Sequence, residues 1–140
     1  MKESKNKHVL DSYAILTYLK EEPGWQKVRS VLWEAFKNKN TVFLNCVNLG
    51  EVYYVVYREY GARLADQAVS MIKLWPVKLV NVSEELAIIA GRMKAENKIS
   101  YADAYVIATA ISKKAIILTG DPEFKSVEEL VNISWLPRNR

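Results

Sequence analysis

Short apolar runs of strand type alternate along this chain with longer stretches whose apolar residues recur at helical spacing, and that alternation leaves few folds open. His8 to Leu10 is strand-like and ends at Asp11. After Ser12, Ala14, Ile15, Tyr18 and Leu19 fall on one helical face. Pro23 and Gly24 interrupt the chain before a second helix whose stripe is Val28, Val31, Leu32, Ala35 and Phe36. Thr41 to Leu44 reads as the next strand. Helices follow on Leu49, Val52, Tyr53, Val56, Tyr57 and Tyr60, stopped by Gly61, and then on Leu64, Ala65, Ala68, Val69 and Ile72. Beyond Pro76 the sequence predicts a strand over Val77 to Val82 and a helix N-capped by Ser83, with Leu86, Ile89, Ala90 and Met93 inward. A small apolar helix from Tyr101 to about Ser112 comes next, then strands over Ala115 to Leu118 and Val131 to Leu136. Strands separated by helices are predicted to lie parallel, in a sheet covered on both faces. The predicted class is α/β, with one domain over residues 1–140.

Composition narrows the chemistry. Half the residues are hydrophobic and 26% are charged, a globular balance in a length that fits one domain. Cys46 is the only cysteine and His8 the only histidine, which excludes an intrachain disulfide, a His/Cys zinc cluster and a Ser-His-Asp triad. Any metal chemistry must therefore use oxygen ligands. A formal charge of +4 modestly favours an anionic partner. No apolar run reaches the roughly 18 residues of a membrane span, and the basic start, Met1 to Lys7, leads into a strand rather than a signal-peptide core, so a cytoplasmic protein is expected.

Most of the 16 acidic residues lie on polar helix faces, but Asp11, Glu51, Asp103 and Asp121 occupy odd places for solvated charges. Asp11 and Asp121 follow apolar strands, Glu51 lies in the start of an aromatic-rich helix, and Asp103 is embedded in Tyr101-Ala102-Asp103-Ala104-Tyr105. Burying such groups is costly unless something pairs with them. In open α/β sheets the carboxyl ends of strands and the helix starts that follow them face one crevice, where ligands collect. Carboxylates converging there repel one another unless a cation intervenes. All-oxygen ligands suit Mg²⁺ or Mn²⁺, ions that activate water and stabilise the departing oxygen in phosphodiester hydrolysis. Taken singly, each acid has an ordinary reading. Asp103 completes a capping box with Ser100, Glu51 is a helix-dipole acid, Asp121 caps a short helix, and Asp11 caps the first helix together with Ser12. The ordered set carries the metal-site reading.

At these residues the sequence resembles the PIN-domain family, its VapC toxin branch in particular. Val9-Leu10-Asp11-Ser12 is similar to the family's first motif, Asn48-Leu49-Gly50-Glu51-Val52 to the second, Ser100-Tyr101-Ala102-Asp103-Ala104 to the third, and Leu118-Thr119-Gly120-Asp121-Pro122 to the fourth. The resemblance implies a three-layer α/β/α fold around a central parallel sheet and metal-dependent endoribonuclease activity on RNA. It also implies frequent homodimers and inhibition by a cognate antitoxin. Carried over, it makes Asp11, Glu51, Asp103 and Asp121 the catalytic metal ligands for Mg²⁺ or Mn²⁺, with Ser12 and Thr119 as accessory hydroxyls. The alternative is a PIN-like module that binds RNA or a partner without cleaving. A haloacid-dehalogenase fold fits less well, because the position two residues after Asp11 is Tyr13 rather than a second Asp.

The aromatic stripe Tyr53, Tyr57 and Tyr60, with Trp25 and Trp33 elsewhere, is read as core, with base stacking or a partner groove as the alternative, whereas Tyr54 falls off it and is expected to be exposed. Arg138 and Arg140 are either a loose tail or extra phosphate contacts.

Overall fold

The computed structural model describes residues 6–137. The apolar runs form β1 (Asn6–Leu10), β2 (Asn40–Asn45), β3 (Lys78–Val80), β4 (Ile116–Thr119) and β5 (Ile133–Trp135). The periodic stretches form α1 (Ser12–Leu19), α2 (Trp25–Phe36), α3 (Cys46–Tyr60), α4 (Ala62–Ile72), α5 (Glu84–Glu96) and α6 (Tyr101–Lys113), and a 3-10 helix, Pro122–Val127, joins β4 to β5. All strand pairs are parallel, in the order β3-β2-β1-β4-β5. The chain builds outward from β1 through β2 to β3, then returns to the other side of β1 for β4 and β5. That reversal opens a crevice beyond the ends of β1 and β4.

Alternate strand residues serve separate cores, as the two-residue period of a strand requires. Val9, Phe43 and Ile117 pack with α5, α6 and the 3-10 helix. Leu10, Val42, Leu44 and Leu118 face α1 to α4 on the other side. The result is the three-layer α/β/α arrangement around a parallel sheet. Asn45 ties the layers together at the end of β2. Its carboxamide oxygen caps α3 by accepting from the Val47 amide at 2.8 Å, and its nitrogen donates to the Thr109 hydroxyl of α6 at 3.0 Å. Gly24 permits the turn into α2: its φ is +100°, and a Cβ there would lie 3.1 Å from the Pro137 carbonyl oxygen.

Three expectations need correction. β3 spans Lys78–Val80 rather than Val77 to Val82, because an edge strand pairs on one side only and extends no further than that pairing. The inward face of α3 is Asn48, Val52 and Val56, not the tyrosine stripe. Tyr57 and Tyr60 are about half exposed, at 49% and 56%. Tyr53 donates its hydroxyl to Asp66 at 2.8 Å and its ring lies 5.9 Å from that of Tyr57, so these rings cover the outer seam between α3 and α4. Trp33 and Phe36 of α2 are likewise exposed, and their rings stack on each other. Tyr54 is exposed, as expected, with the Arg58 guanidinium over its ring. Arg138 and Arg140 lie outside the described residues. No described helix is long and apolar enough to cross a membrane.

Phe124, in the 3-10 helix, is the largest fully buried side chain and fixes the segment after β4 to the α5/α6 core. Phe124→Ala is expected to destabilise the protein by roughly 3–5 kcal/mol, read as a lower urea midpoint with unchanged slope.

Candidate metal centre

β1 delivers Asp11 to the crevice. Val9 and Leu10 are fully buried, so the residue that follows is buried too, and Asp11 is only 1% exposed. One carboxylate oxygen caps α1 by accepting from the Ala14 amide at 2.8 Å. The other accepts a very short hydrogen bond from the Thr119 hydroxyl at the end of β4. Thr119 Oγ1 in turn accepts from the Asp121 backbone amide at 2.9 Å. A single buried hydroxyl thus joins the turn after β1 to the turn after β4.

Asp121 caps the 3-10 helix, its Oδ1 accepting from the Glu123 amide at 2.9 Å. Asp103 arrives from the first turn of α6. Its backbone amide donates to the capping Ser100 hydroxyl at 3.1 Å, whereas its carboxyl lies near Glu123, one of the groups that raise its protonation. Ser100 thus caps α6 through the Asp103 amide, and among the described residues no hydrogen bond runs from the Asp103 carboxylate back to Ser100, so only half of the capping box is present. Asp11, Asp103 and Asp121 each offer an oxygen, and these atoms all lie within 4.8 Å of one another.

Glu51 stands outside that trio. Its Oε1 accepts from Asn48 Nδ2 at 3.0 Å, and the same nitrogen donates to the Ala102 carbonyl at 3.1 Å, so Asn48 links α3 to the start of α6. The charge of Glu51 is nevertheless felt at both Asp11 and Asp103. Ser12 opens α1 beside Asp11, but among the described residues it is Thr119, rather than Ser12, whose hydroxyl is bonded to an acid of the cluster.

Electrostatics follow from burial and crowding. Desolvation pushes the Asp11 carboxyl up from 3.8 to about 7, against the hydrogen bonds from Thr119 and Ala14 and with help from the charges of Asp121 and Glu51. Desolvation also lifts Asp103 to about 8, reinforced by the Glu123 contact and by Asp121, Asp11 and Glu51. The ion pairs among the described residues, Lys20 with Glu59 and Lys37 with Glu34, lie elsewhere. No described basic side chain forms an ion pair with these acids. Converging carboxylate oxygens of this kind, two of them on buried residues, fit a hard divalent cation such as Mg²⁺ or Mn²⁺.

Two polar residues of the site carried no assigned role in the sequence reading. Glu123 lies two positions beyond Asp121, in the first turn of the 3-10 helix. Asn48 is fully buried three residues before Glu51, a spacing that puts both on one helical face. That spacing was its available signal.

The sequence profile of the PIN domain matches residues 8–130. No match appears among curated protein sequences. Among solved structures, the chain is similar to VapBC2 from Rickettsia felis bound to a promoter DNA fragment, with a TM-score of 0.74 at 14% identity, covering 94% of this chain and 99% of that one. It is similar to DNA-bound VapBC from Salmonella typhimurium, at TM-score 0.70, 15% identity and coverages of 92% and 97%. It is also similar to VapC20 from Mycobacterium tuberculosis, a sarcin-ricin loop cleaving toxin, at TM-score 0.68 and 19% identity, covering 86% and 94%. At such identities these structures speak to the fold, and the profile match, which spans Asp11, Glu51, Asp103 and Asp121, identifies the lineage: the chain belongs to the PIN-domain family.

Proposed function

We propose that the chain is a metal-dependent endoribonuclease that hydrolyses RNA phosphodiester bonds, acting as the toxin of a VapBC-type toxin–antitoxin pair. The observation that carries this reading is the convergence of Asp11, Asp103 and Asp121 at the switch point of a PIN fold, without a basic partner. Asp11, Asp103, Asp121 and Glu51 would hold Mg²⁺ or Mn²⁺. Once bound, the ion would supply the Lewis acidity and the lowered water pKa that phosphodiester hydrolysis needs. Thr119 fixes the orientation of Asp11, the 3-10 helix fixes Asp121, and Asn48 fixes Glu51. RNA as substrate is supported by the family and by the similar VapC20, a sarcin-ricin loop cleaving toxin.

The antitoxin partner is proposed to use an apolar groove of about 360 Å³ between α1, α3 and α4, lined by Leu16, Leu19, Val56, Tyr60, Leu64 and Met71. An amphipathic helix with apolar residues at helical spacing would suit it. A homodimer is proposed as well, with the exposed aromatic faces of α2 and α3 as candidate contact area.

Asp103→Asn tests the metal centre. Metal-free protein is expected to melt at the same or a higher temperature, since one repelling carboxylate is gone. The stabilisation gained from Mn²⁺ should shrink, and RNA cleavage should fall by at least about 100-fold. Full cleavage with unchanged Mn²⁺ stabilisation would overturn the assignment and favour the module that binds without cutting.

The pH dependence of metal-free stability is a separate test. Asp11 and Asp103 hold their protons more tightly when folded than when unfolded, since both are raised from 3.8, to about 7 and about 8. Their stabilising contribution is therefore complete at low pH and is lost as pH climbs through those values. In EDTA the melting temperature should drop between about pH 5 and pH 8. Mn²⁺ should recover far more of it at pH 8, where the ion no longer competes with protons.

For the groove, Leu64→Asp and Met71→Asp alter exposed positions. Each is expected to abolish co-purification with the antitoxin while leaving RNA cleavage by the isolated chain intact, as measured by pull-down and cleavage assay.

A further inference from the structure

We propose that Tyr13 is a positioning residue whose ring, wedged against Gly120, sets where the Asp121 carboxylate stands relative to Asp11. The inference rests on the metal-centre reading above. A Cβ built at Gly120 would lie 2.5 Å from Tyr13 Cε1, 3.1 Å from Cζ and 3.3 Å from Cδ1. At Gly50, Gly61 and Gly91 a Cβ would meet nothing within 4 Å, so the space at Gly120 is taken by one particular ring. Tyr13 is the second residue of α1, in the turn that Asp11 caps, and Gly120 immediately precedes Asp121.

The ring therefore braces the same pair of turns that Thr119 joins, by a different interaction. Thr119 is fully buried and acts through its hydroxyl, reaching the Asp11 carboxylate and the Asp121 amide. Tyr13 is half-buried and acts through packing against backbone, restricting the peptide that aims Asp121. Both restraints are needed because like-charged carboxylates push the turns apart, whereas a hard cation demands donor oxygens at fixed spacing. Gly120 is the residue that lets the ring come so close. A side chain there would have to displace it.

The test measures Mn²⁺ affinity by titrated melting temperature, alongside melting in EDTA, for wild type, Tyr13→Phe, Tyr13→Ala, Gly120→Ala, the Tyr13→Ala/Gly120→Ala double variant and Asp121→Asn. Tyr13→Ala and Gly120→Ala are each expected to weaken Mn²⁺ binding by about 10-fold or more, the usual size for a group that orients a ligand. Tyr13→Phe keeps the ring and should bind like wild type. The double variant should bind no more weakly than the worse single, because both changes remove one contact. Tyr13→Ala changes a half-buried position and keeps the question answerable if Gly120→Ala does not fold.

Lower melting in EDTA with unchanged Mn²⁺ affinity would make the contact merely structural and overturn the proposal. So would additive losses in the double variant, or a Tyr13→Phe variant as weak as Tyr13→Ala. If wild type gains nothing from Mn²⁺ and Asp121→Asn behaves identically, the metal centre itself fails and takes the wedge with it. A response lost in Asp121→Asn but retained in both Tyr13→Ala and Gly120→Ala rejects the wedge alone.

Discussion

Everything at the crevice depends on keeping carboxylates that repel one another in a place where water screens them poorly. Desolvation is the first cause of the raised protonation of both Asp11 and Asp103, and neighbouring charge adds to it. The fold tolerates this because each acid is anchored to the backbone at its base. Asp11 caps α1, Asp121 caps the 3-10 helix, and Asp103 enters from a turn capped by Ser100. Helix starts bring unsatisfied amides to exactly such positions in a parallel sheet, so the local needs of the backbone and the convergence of the acids are met by the same residues.

The architecture was legible because a parallel α/β fold writes itself into local periodicity. Val9 and Leu10 are both apolar because β1 faces a core on each side, and the same holds for Ile117 and Leu118 of β4. Boundaries at the sheet edge were less legible. The hydrophobic run around β3 is longer than its pairing with β2, which ends at Val80. The aromatic stripe of α3 misled for a different reason. Helical spacing marks residues that share a face, but does not say whether that face meets a sheet or a neighbouring helix with water beyond, as Tyr57 and Tyr60 do.

Within the site, Asp11 and Asp121 were visible from their positions after apolar strands, and Asp103 from its apolar surroundings. Glu51 was legible as a member of the ordered set, but not in its separate placement, since its side chain is held by Asn48 rather than grouped with the trio. The contact between Asp103 and Glu123 joins residues twenty positions apart in sequence, and no local pattern announces it. The tight meeting of Tyr13 with Gly120 is equally nonlocal. Such contacts depend on how two turns approach each other in space, which periodicity does not encode.

The division of labour among the anchored acids also bears on how such a chain can decay. The carboxylate of Asp11 is both a helix cap and a member of the cluster, and Asp121 is in the same position. Most replacements at either residue would loosen a helix start as well as remove a charge, and damage of that kind exposes a chain to degradation. Asp103 uses its backbone amide, not its carboxylate, to meet Ser100. A lineage that loses the acidic cluster while keeping a folded body has its least disruptive exit there, so drift of that kind should enter through α6 before it touches the ends of β1 or β4.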